Sequence, residues 1–243
     1  MKSSAVLSSI LGFGLATAQS VTTSIPPATG TELSEEAIVV SGSFDGEMKF
    51  FDRSTRVCQE QTETGRADAM FIVEEGGTLS NVIIGPNQAE GVHCLGTCTL
   101  NNVWHSDVCE DAITIEDTGT GYINGGGAFH ASDKIIQLNG GSNLQVTDFY
   151  AEDYGKVVRS CGNCQPNGGP RNIVLTNVVA VDGGVLCGIN TNYGDTCTIN
   201  NSCQREGKFC DRYEGNDNGS EPSKIGSGPD GQFCVATGQT ENC

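Results

Sequence analysis

Short apolar runs recur along the chain at a near-constant interval, each opened by an acidic residue or a glycine. They begin at Asp68-Ala-Met-Phe-Ile, Glu90-Gly-Val-His-Cys, Asp111-Ala-Ile-Thr-Ile, Asp133-Lys-Ile-Ile-Gln, Gly155-Lys-Val-Val-Arg and Gly184-Val-Leu-Cys-Gly, with steps of 22, 21, 22, 22 and 29 residues. A second series lies half a period away, at Leu79, Leu100, Ile123, Val146, Leu175 and Ile199, with steps of 21, 23, 23, 29 and 24. Two interleaved strand registers with a period of about 20 to 30 residues predict a chain that repeats one coil and lays each turn on the last. The fold class is therefore all-β, a single right-handed parallel β-helix. Equivalent positions on neighbouring coils lie about 4.7 to 4.9 Å apart, so Glu90 and Asp111 become neighbours, as do Lys134 and Lys156.

Glycine pairs such as Gly76-Gly77, Gly140-Gly141 and Gly183-Gly184 suit coil corners, because glycine takes positive φ without strain. An antiparallel sandwich would favour hairpin turns and no fixed period. Asn81, Asn102 and Asn177 share one position of the second series, with Asp148 on an intervening coil, and predict an amide ladder along the stack. Residues 19–30 read as an exposed leader and Glu32 to Val40 as a short helix or opening strand that caps the first coil. The β-helical domain is assigned to residues 31–243. The period fades beyond Ser202, so residues 203–243, with Cys203, Cys210, Cys234 and Cys243, read as a disulfide-pinned cover.

Composition narrows the setting. Residues 1–18 combine Lys2, an apolar centre from Val6 to Leu15 and the ending Ala16-Thr17-Ala18, the pattern of a secretory signal peptide. No later run has the roughly 20 apolar residues of a membrane span. Twelve cysteines behind such a leader predict disulfides, Cys161-Gly-Asn-Cys164 among them. The expectation is a secreted monomer. Asn200-Asn-Ser and Asn218-Gly-Ser match the glycosylation acceptor pattern. A net charge of −17 argues against nucleic acid and anionic membranes as partners. An acidic polysaccharide would also be repelled, unless a local cationic patch or a bridging metal receives it.

Both features sit in the first series. Glu90 and Asp111 stack, Glu110 adjoins them and Asp107 is close in sequence. Carboxylates about 5 Å apart repel by roughly 3 kcal/mol at an effective dielectric near 20, so the group calls for a counter-ion. Hard oxygen donors suit Ca²⁺, and a solvated acidic rung is the plainer alternative. Lys134, Lys156 and Arg159 fall on the next two coils of a chain with only 13 Lys and Arg. Spacing alone leaves two roles open for them, binding an anion or neutralising the carboxylates beside them. His93 and His130 lie beside the ladder, in structural or subsite positions.

These same residues carry a family resemblance. Ala89-Glu-Gly-Val-His-Cys, Asn102-Val-Trp, Val108-Cys-Glu-Asp-Ala-Ile-Thr, Gly127-Ala-Phe-His-Ala-Ser-Asp-Lys and Tyr154-Gly-Lys-Val-Val-Arg-Ser-Cys-Gly-Asn-Cys resemble the small secreted pectate lyases of polysaccharide lyase family 3. The likeness runs from about Phe44 to Asp230 and is nearest to fungal members, with their extra cysteines and the Asn192-Tyr-Gly-Asp run. It implies a β-helix that cleaves de-esterified polygalacturonate by calcium-dependent β-elimination to 4,5-unsaturated oligogalacturonides. Position by position, it implies Glu90, Glu110 and Asp111 as calcium ligands and Lys134 as general base. Lys156 and Arg159 become substrate-binding and charge-stabilising cations, with His130 as a further substrate contact. Neighbouring cations are expected to lower the pKa of Lys134 and activity to rise on the alkaline side. Many relatives carry lysine where this chain has Glu116, and histidine where it has Leu138. A glycoside hydrolase would need two carboxyl groups about 6.5 to 9.5 Å apart, and a non-catalytic wall-binding protein would keep the ladder as scaffold alone.

Overall fold

The computed structural model describes residues 20–243; the signal-peptide assignment lies outside them. Among the described residues eighteen strands form one continuous sheet that winds as a parallel β-helix. Their pairing is parallel except between Lys208–Glu214 and Ser223–Ser227. The second series is borne out residue for residue, with Leu79 opposite Leu100, Leu100 opposite Ile123, Ile123 opposite Val146, Val146 opposite Leu175 and Leu175 opposite Ile199.

The first series needs two corrections. Phe71 lies opposite Val92 rather than His93, and Asp111 lies opposite Lys134 rather than Asp133. Side-chain alternation explains both shifts: Val92, Ile113 and Ile136 must face the core while His93, Thr114 and Gln137 face out, and a one-residue slip would reverse them. Lys134 pairs with Lys156 as expected. The register of Val92 with Ile113 carries back to the Glu90 and Asp111 neighbours.

One face was not foreseen, a middle side between the two series. The 19-residue strand Thr120–Leu138 pairs over three successive stretches, Gly121–Asn124 and Gly126–Ala128 with Cys98–His105 and Lys134–Leu138 with Asp111–Ile115, so each coil has three sides, counted first to third in chain order. Its middle portion stacks Trp104 on Gly127 and His105 on Ala128. The first two sides meet at a corner that Gly77–Ile84 and Cys98–His105 round as single strands, and there Asn81, Asn102, Asp148 and Asn177 hold φ of 54°, 54°, 56° and 54°. The side chains form the predicted ladder: Asn102 Nδ2 donates to Asn81 Oδ1 at 2.9 Å, and Asn177 Nδ2 to Asp148 Oδ1 at 2.6 Å. Gly125 occupies the coil between, and there Trp104 Nε1 donates to Asn102 Oδ1 at 2.8 Å.

Outside this corner the first side is uncharged over successive coils, with Thr78, Ser80, Thr99, Asn101, Tyr122, Asn124, Gln145 and Thr147 facing out. Its amides also bond along the stack, Asn124 to Asn101 at 3.0 Å and Asn172 to Asn143 at 3.0 Å. The interior holds one continuous core of Leu, Ile and Val columns. Phe44, Phe51 and Phe71 fill its N-terminal end, with ring centroids 5.3 to 5.8 Å apart. Toward the other end the column continues as buried disulfides, Cys187–Cys197 and Cys210–Cys234.

Coiling reaches further than the spacing suggests, since Cys187 pairs with Cys210 and Cys197 with Cys234, beyond Ser202. All twelve cysteines are bridged, and Cys161–Cys164 is one of the six pairs. The first coil opens with strands, Thr31–Ser34 and Ile38–Val40. Asn218 is exposed, whereas the hydroxyl of Ser202 in the Asn200 pattern is bonded within the stack.

Candidate active site

The third side of the coil carries the chemistry. Its strands bring Glu90, Glu110 and Asp111 to the wall of one cavity of about 240 Å³, joined by His93 and Thr114. All three carboxylates are buried, at 4%, 3% and 2% exposure. The loop tied down by Cys58–Cys109 closes over them, and Thr64 donates to Glu90 Oε1 from its hydroxyl at 2.7 Å and its N–H at 3.2 Å. Burial pushes Glu90 upward, but the bonds from His93 and Thr64 outweigh it and hold the group below its ordinary value. Glu110 and Asp111 are left raised, Asp111 strongly, because burial outweighs the nearby Lys134 charge. Asp111 Oδ1 has no hydrogen-bond partner among the described residues and lies 3.4 Å from Lys134 Nζ.

Lys134 is the cation these carboxylates face. Its ammonium also lies 3.2 Å from Glu110 Oε1 and 2.8 Å from Asp133 Oδ2, and the other oxygen of Asp133 bonds Lys156. The expected lowering of the Lys134 pKa is reversed here. Burial lowers it, yet the summed charges and bond of Asp111, Asp133 and Glu110 raise it far more. Sequence spacing could not show that Asp133 stands between the two lysines, because the register shift places Lys134, not Asp133, beside Asp111.

Arg159 lies three residues beyond Lys156 on the same strand, opposite Gln137, and lines an adjoining cavity of about 250 Å³ with Lys134, Lys156, Gln137 and Tyr213. Its guanidinium is 4.1 Å from the Tyr213 ring centroid. Nη1 donates to Asn190 Oδ1 at 3.1 Å and Gly188 O at 3.3 Å. A Cβ at Gly188 would come 2.8 Å from Arg159 Cδ, so glycine there leaves the path for the side chain open. Asn190 is held in turn: its N–H donates to Asp195 Oδ2 at 3.0 Å, and its Nδ2 to Cys161 O at 2.8 Å. Arg171 N–H donates to Asp195 Oδ1 at 2.9 Å, and Asn190, Asp195 and Arg171 are all fully buried. Sequence reasoning gave no role to Asn190, Asp195 and Tyr213, since they belong to later coils. Asp195 alone carried a signal, as the end of the Asn192-Tyr-Gly-Asp run.

Comparison with known proteins bears on this arrangement. The pectate lyase family model matches residues 22–220. The chain belongs to the pectate lyase family. Among curated relatives, a probable pectate lyase F of Aspergillus terreus is 46% identical over 231 residues, covering 93% of this chain and 98% of that protein. Pectate lyase H of Emericella nidulans is 47% identical over 225 residues, covering 90% and 85%. The catalytic domain of pectate lyase PelI from Erwinia chrysanthemi superposes with a TM-score of 0.69 at 27% identity, covering 88% of this chain and 97% of that one. A structure of PelI in complex with tetragalacturonic acid gives 0.67 at 28% identity, covering 88% and 69%.

The lyase brings six of the seven expected site residues into adjoining cavities: Glu90, Glu110, Asp111, Lys134, Lys156 and Arg159. His130 stands apart. It sits at φ 60° on an exposed corner, 3.0 Å from Asp153, and lines neither cavity, so its placement gives no support to a substrate contact. Leu138 is fully buried in the core, so the departure there does not reach the cleft. Glu116 lies 2.6 Å from His93 Nδ1 and 3.1 Å from Arg66, which makes it part of the cleft rim.

Three buried carboxylates on one cavity, one with an uncommitted oxygen, fit a hard divalent cation in donor chemistry. Among the described residues no group of three such side chains stands ready-made as a metal cage.

Proposed function

We propose that this pectate lyase is secreted and cleaves de-esterified polygalacturonate by calcium-dependent β-elimination, releasing 4,5-unsaturated oligogalacturonides. The observation that carries this reading is Lys134, an amine held between a carboxylate cluster and the cations Lys156 and Arg159 in one groove. A groove of one sign could not take up an acidic sugar and also offer it a base. Secretion is supported by the apolar leader pattern in residues 1–18 and by six disulfides, which persist in oxidising compartments. No helix among the described residues is long and apolar enough to cross a membrane.

Glu90, Glu110 and Asp111 would hold the calcium ion, which when bound offers positive charge to the sugar carboxylate and so acidifies the C5 proton. Arg159, fixed by Asn190 and Tyr213, binds a uronate carboxylate through its free N–H groups. Lys156 adds a second positive charge on the same side. Lys134 Nζ takes the C5 proton in its neutral form, which the site would favour once the charge of Glu110 and Asp111 is taken up by a bound cation instead of by the ammonium that they now hold protonated. The C5–H electron pair forms the C4=C5 bond, the C4–O4 bond breaks, and the departing oxygen leaves on the other fragment, protonated by solvent.

The test follows the ultraviolet absorbance of the new double bond during turnover of polygalacturonate. The parent protein should produce it, and chelator should abolish it. Lys134→Ala should lower kcat by about 10²- to 10⁴-fold, the usual contribution of a positioned base. Full activity in Lys134→Ala would remove the base assignment.

A further inference from the structure

The row of cations does not end at Lys156. Strand pairing continues it from Lys156 to Val185 and from Val185 to Lys208, so Lys134, Lys156 and Lys208 lie on one line along the helix axis. At about 4.8 Å per coil, Lys208 is about 14 Å from Lys134. Between Lys156 and Lys208 runs an open groove of about 390 Å³. Lys156 lines both this groove and the cleft, so the two are continuous.

The floor of the groove is bare backbone from Gly155, Gly183, Gly184 and Gly207. Side chains are excluded by the stack itself: a Cβ at Gly155 would lie 2.4 Å from Asp133 O, and one at Gly184 would lie 2.2 Å from Gly155 O. The result is a shallow, smooth channel able to accept a sugar ring. Lys208 is exposed at its edge. Lys49, Lys134, Lys156 and Lys224 are each ion-paired, and among the described residues Lys208 is the lysine with no such partner. Asp211, which also lines the groove, is taken by Lys224 and by Ser227 Oγ at 2.6 Å, and Glu206 occupies the rim. In a chain of net charge −17, an unpaired cation in a channel continuous with the catalytic cleft is a site for an anion.

We infer that the groove is a distal subsite, in which Lys208 receives the carboxylate of a uronate unit remote from the bond being cleaved. The substrate chain then lies along the helix axis, from the carboxylate end past Lys134 and Lys156 to Lys208. This rests on the proposed reaction and adds to it a path and a length for the bound polymer.

The experiment compares polygalacturonate with trigalacturonate. Cleavage of the trimer leaves at most two sugar rings on the Lys208 side of the bond, too few to span three coils. Lys208→Ala should raise the KM for polymer relative to that for trimer about fivefold to tenfold, the scale of one charge-assisted contact. Lys49→Ala removes the same charge at the far end of the stack and should leave that ratio as in the parent. The inference is overturned if the ratio stays within about twofold in Lys208→Ala, or if Lys49→Ala shifts it equally. Electrophoresis through gels containing polygalacturonate gives a readout independent of turnover. Retardation of the parent that is unchanged in Lys208→Ala would sink the subsite. A parent protein that binds and retards but yields no ultraviolet product would sink the reaction and leave the subsite standing.

Discussion

Two sides of the same coil use one spacing to opposite ends. On the first, away from the corner, outward side chains from Thr99 to Thr147 meet neutral neighbours one strand away, and an amide can satisfy its own copy because it donates at one end and accepts at the other. Asn102 with Asn81, Asn124 with Asn101 and Asn172 with Asn143 all do so. On the third side the stacked groups are charged, and a carboxylate cannot satisfy another carboxylate. The row therefore runs in like pairs, Glu90 beside Asp111 and Lys134 beside Lys156, with Asp111 meeting Lys134 at the join and Asp133 bonded to both lysines. Stacked amides make a wall complete in itself, whereas stacked charges make a site whose balance a bound ion or anionic sugar can change.

The largest way to break this contrast is at Asp111. Asp111→Asn should lower kcat/KM by about a hundredfold or more, above the 10- to 100-fold found for groups one shell removed from a metal. Calcium should raise the melting temperature of the parent and fail to raise that of the variant. An equal calcium shift in both would detach Asp111 from the metal.

A smaller effect is expected at the seat of Arg159. Asn190→Ala should cost about tenfold to a hundredfold in kcat/KM by letting the guanidinium wander, expressed mainly in KM. In an Arg159→Ala background the same change should cost little, since a positioning residue has nothing left to position. Equal losses in both backgrounds would make Asn190 a purely structural group.

The amide wall should respond in stability alone. Asn102→Ala loses two ladder bonds and puts a Cβ-bearing residue with no local hydrogen bond at φ 54°, and should cost about 2 to 3 kcal/mol in urea unfolding. Asn102→Gly keeps the backbone at ease and should recover about 1 kcal/mol of that. Turnover per folded molecule should match the parent in both; a loss of turnover would show that the two sides are coupled.

An effect confined to acid pH, absent at neutrality, belongs to the remaining side. His105 is fully buried, neither ring nitrogen has a partner among the described residues, and burial lowers its pKa to about 3. The unfolded chain protonates this ring near 6.5, so stability present above that value is lost as pH falls toward 3. The slope should be at most about 1.4 kcal/mol per pH unit. His105→Gln should remove this increment from the pH dependence of unfolding; an identical slope would assign it to the carboxylates.

Legibility in the sequence followed the same division. Leu79 to Ile199 gave its register correctly because each apolar position is followed two residues on by an Asn or Asp, or on one coil by Gly125, that marks the corner. The third side shifted by one residue twice, since the acidic openers Asp68 and Asp133 imitate a register that core packing forbids. The second side was invisible because in Gly77–Ile84, Cys98–His105 and Thr120–Leu138 a single strand rounds the corner, and on later coils only two residues interrupt it. Charged residues of the site announced themselves as a cluster. Their buried support Asn190 did not, because a polar residue sealed inside a later coil reads like any loop residue until its partner 31 positions away is known.

The register of Asp111 with Lys134 has an evolutionary corollary. Every rung of this protein is addressed by the number of residues spent rounding the corners before it, so deleting a single corner residue would slide a whole strand past its neighbour and exchange which side chains meet, with no substitution at all. Among proteins wound this way, turn length is an inheritable dial on chemistry, and corners deserve alignment as careful as that given to the side chains they deliver.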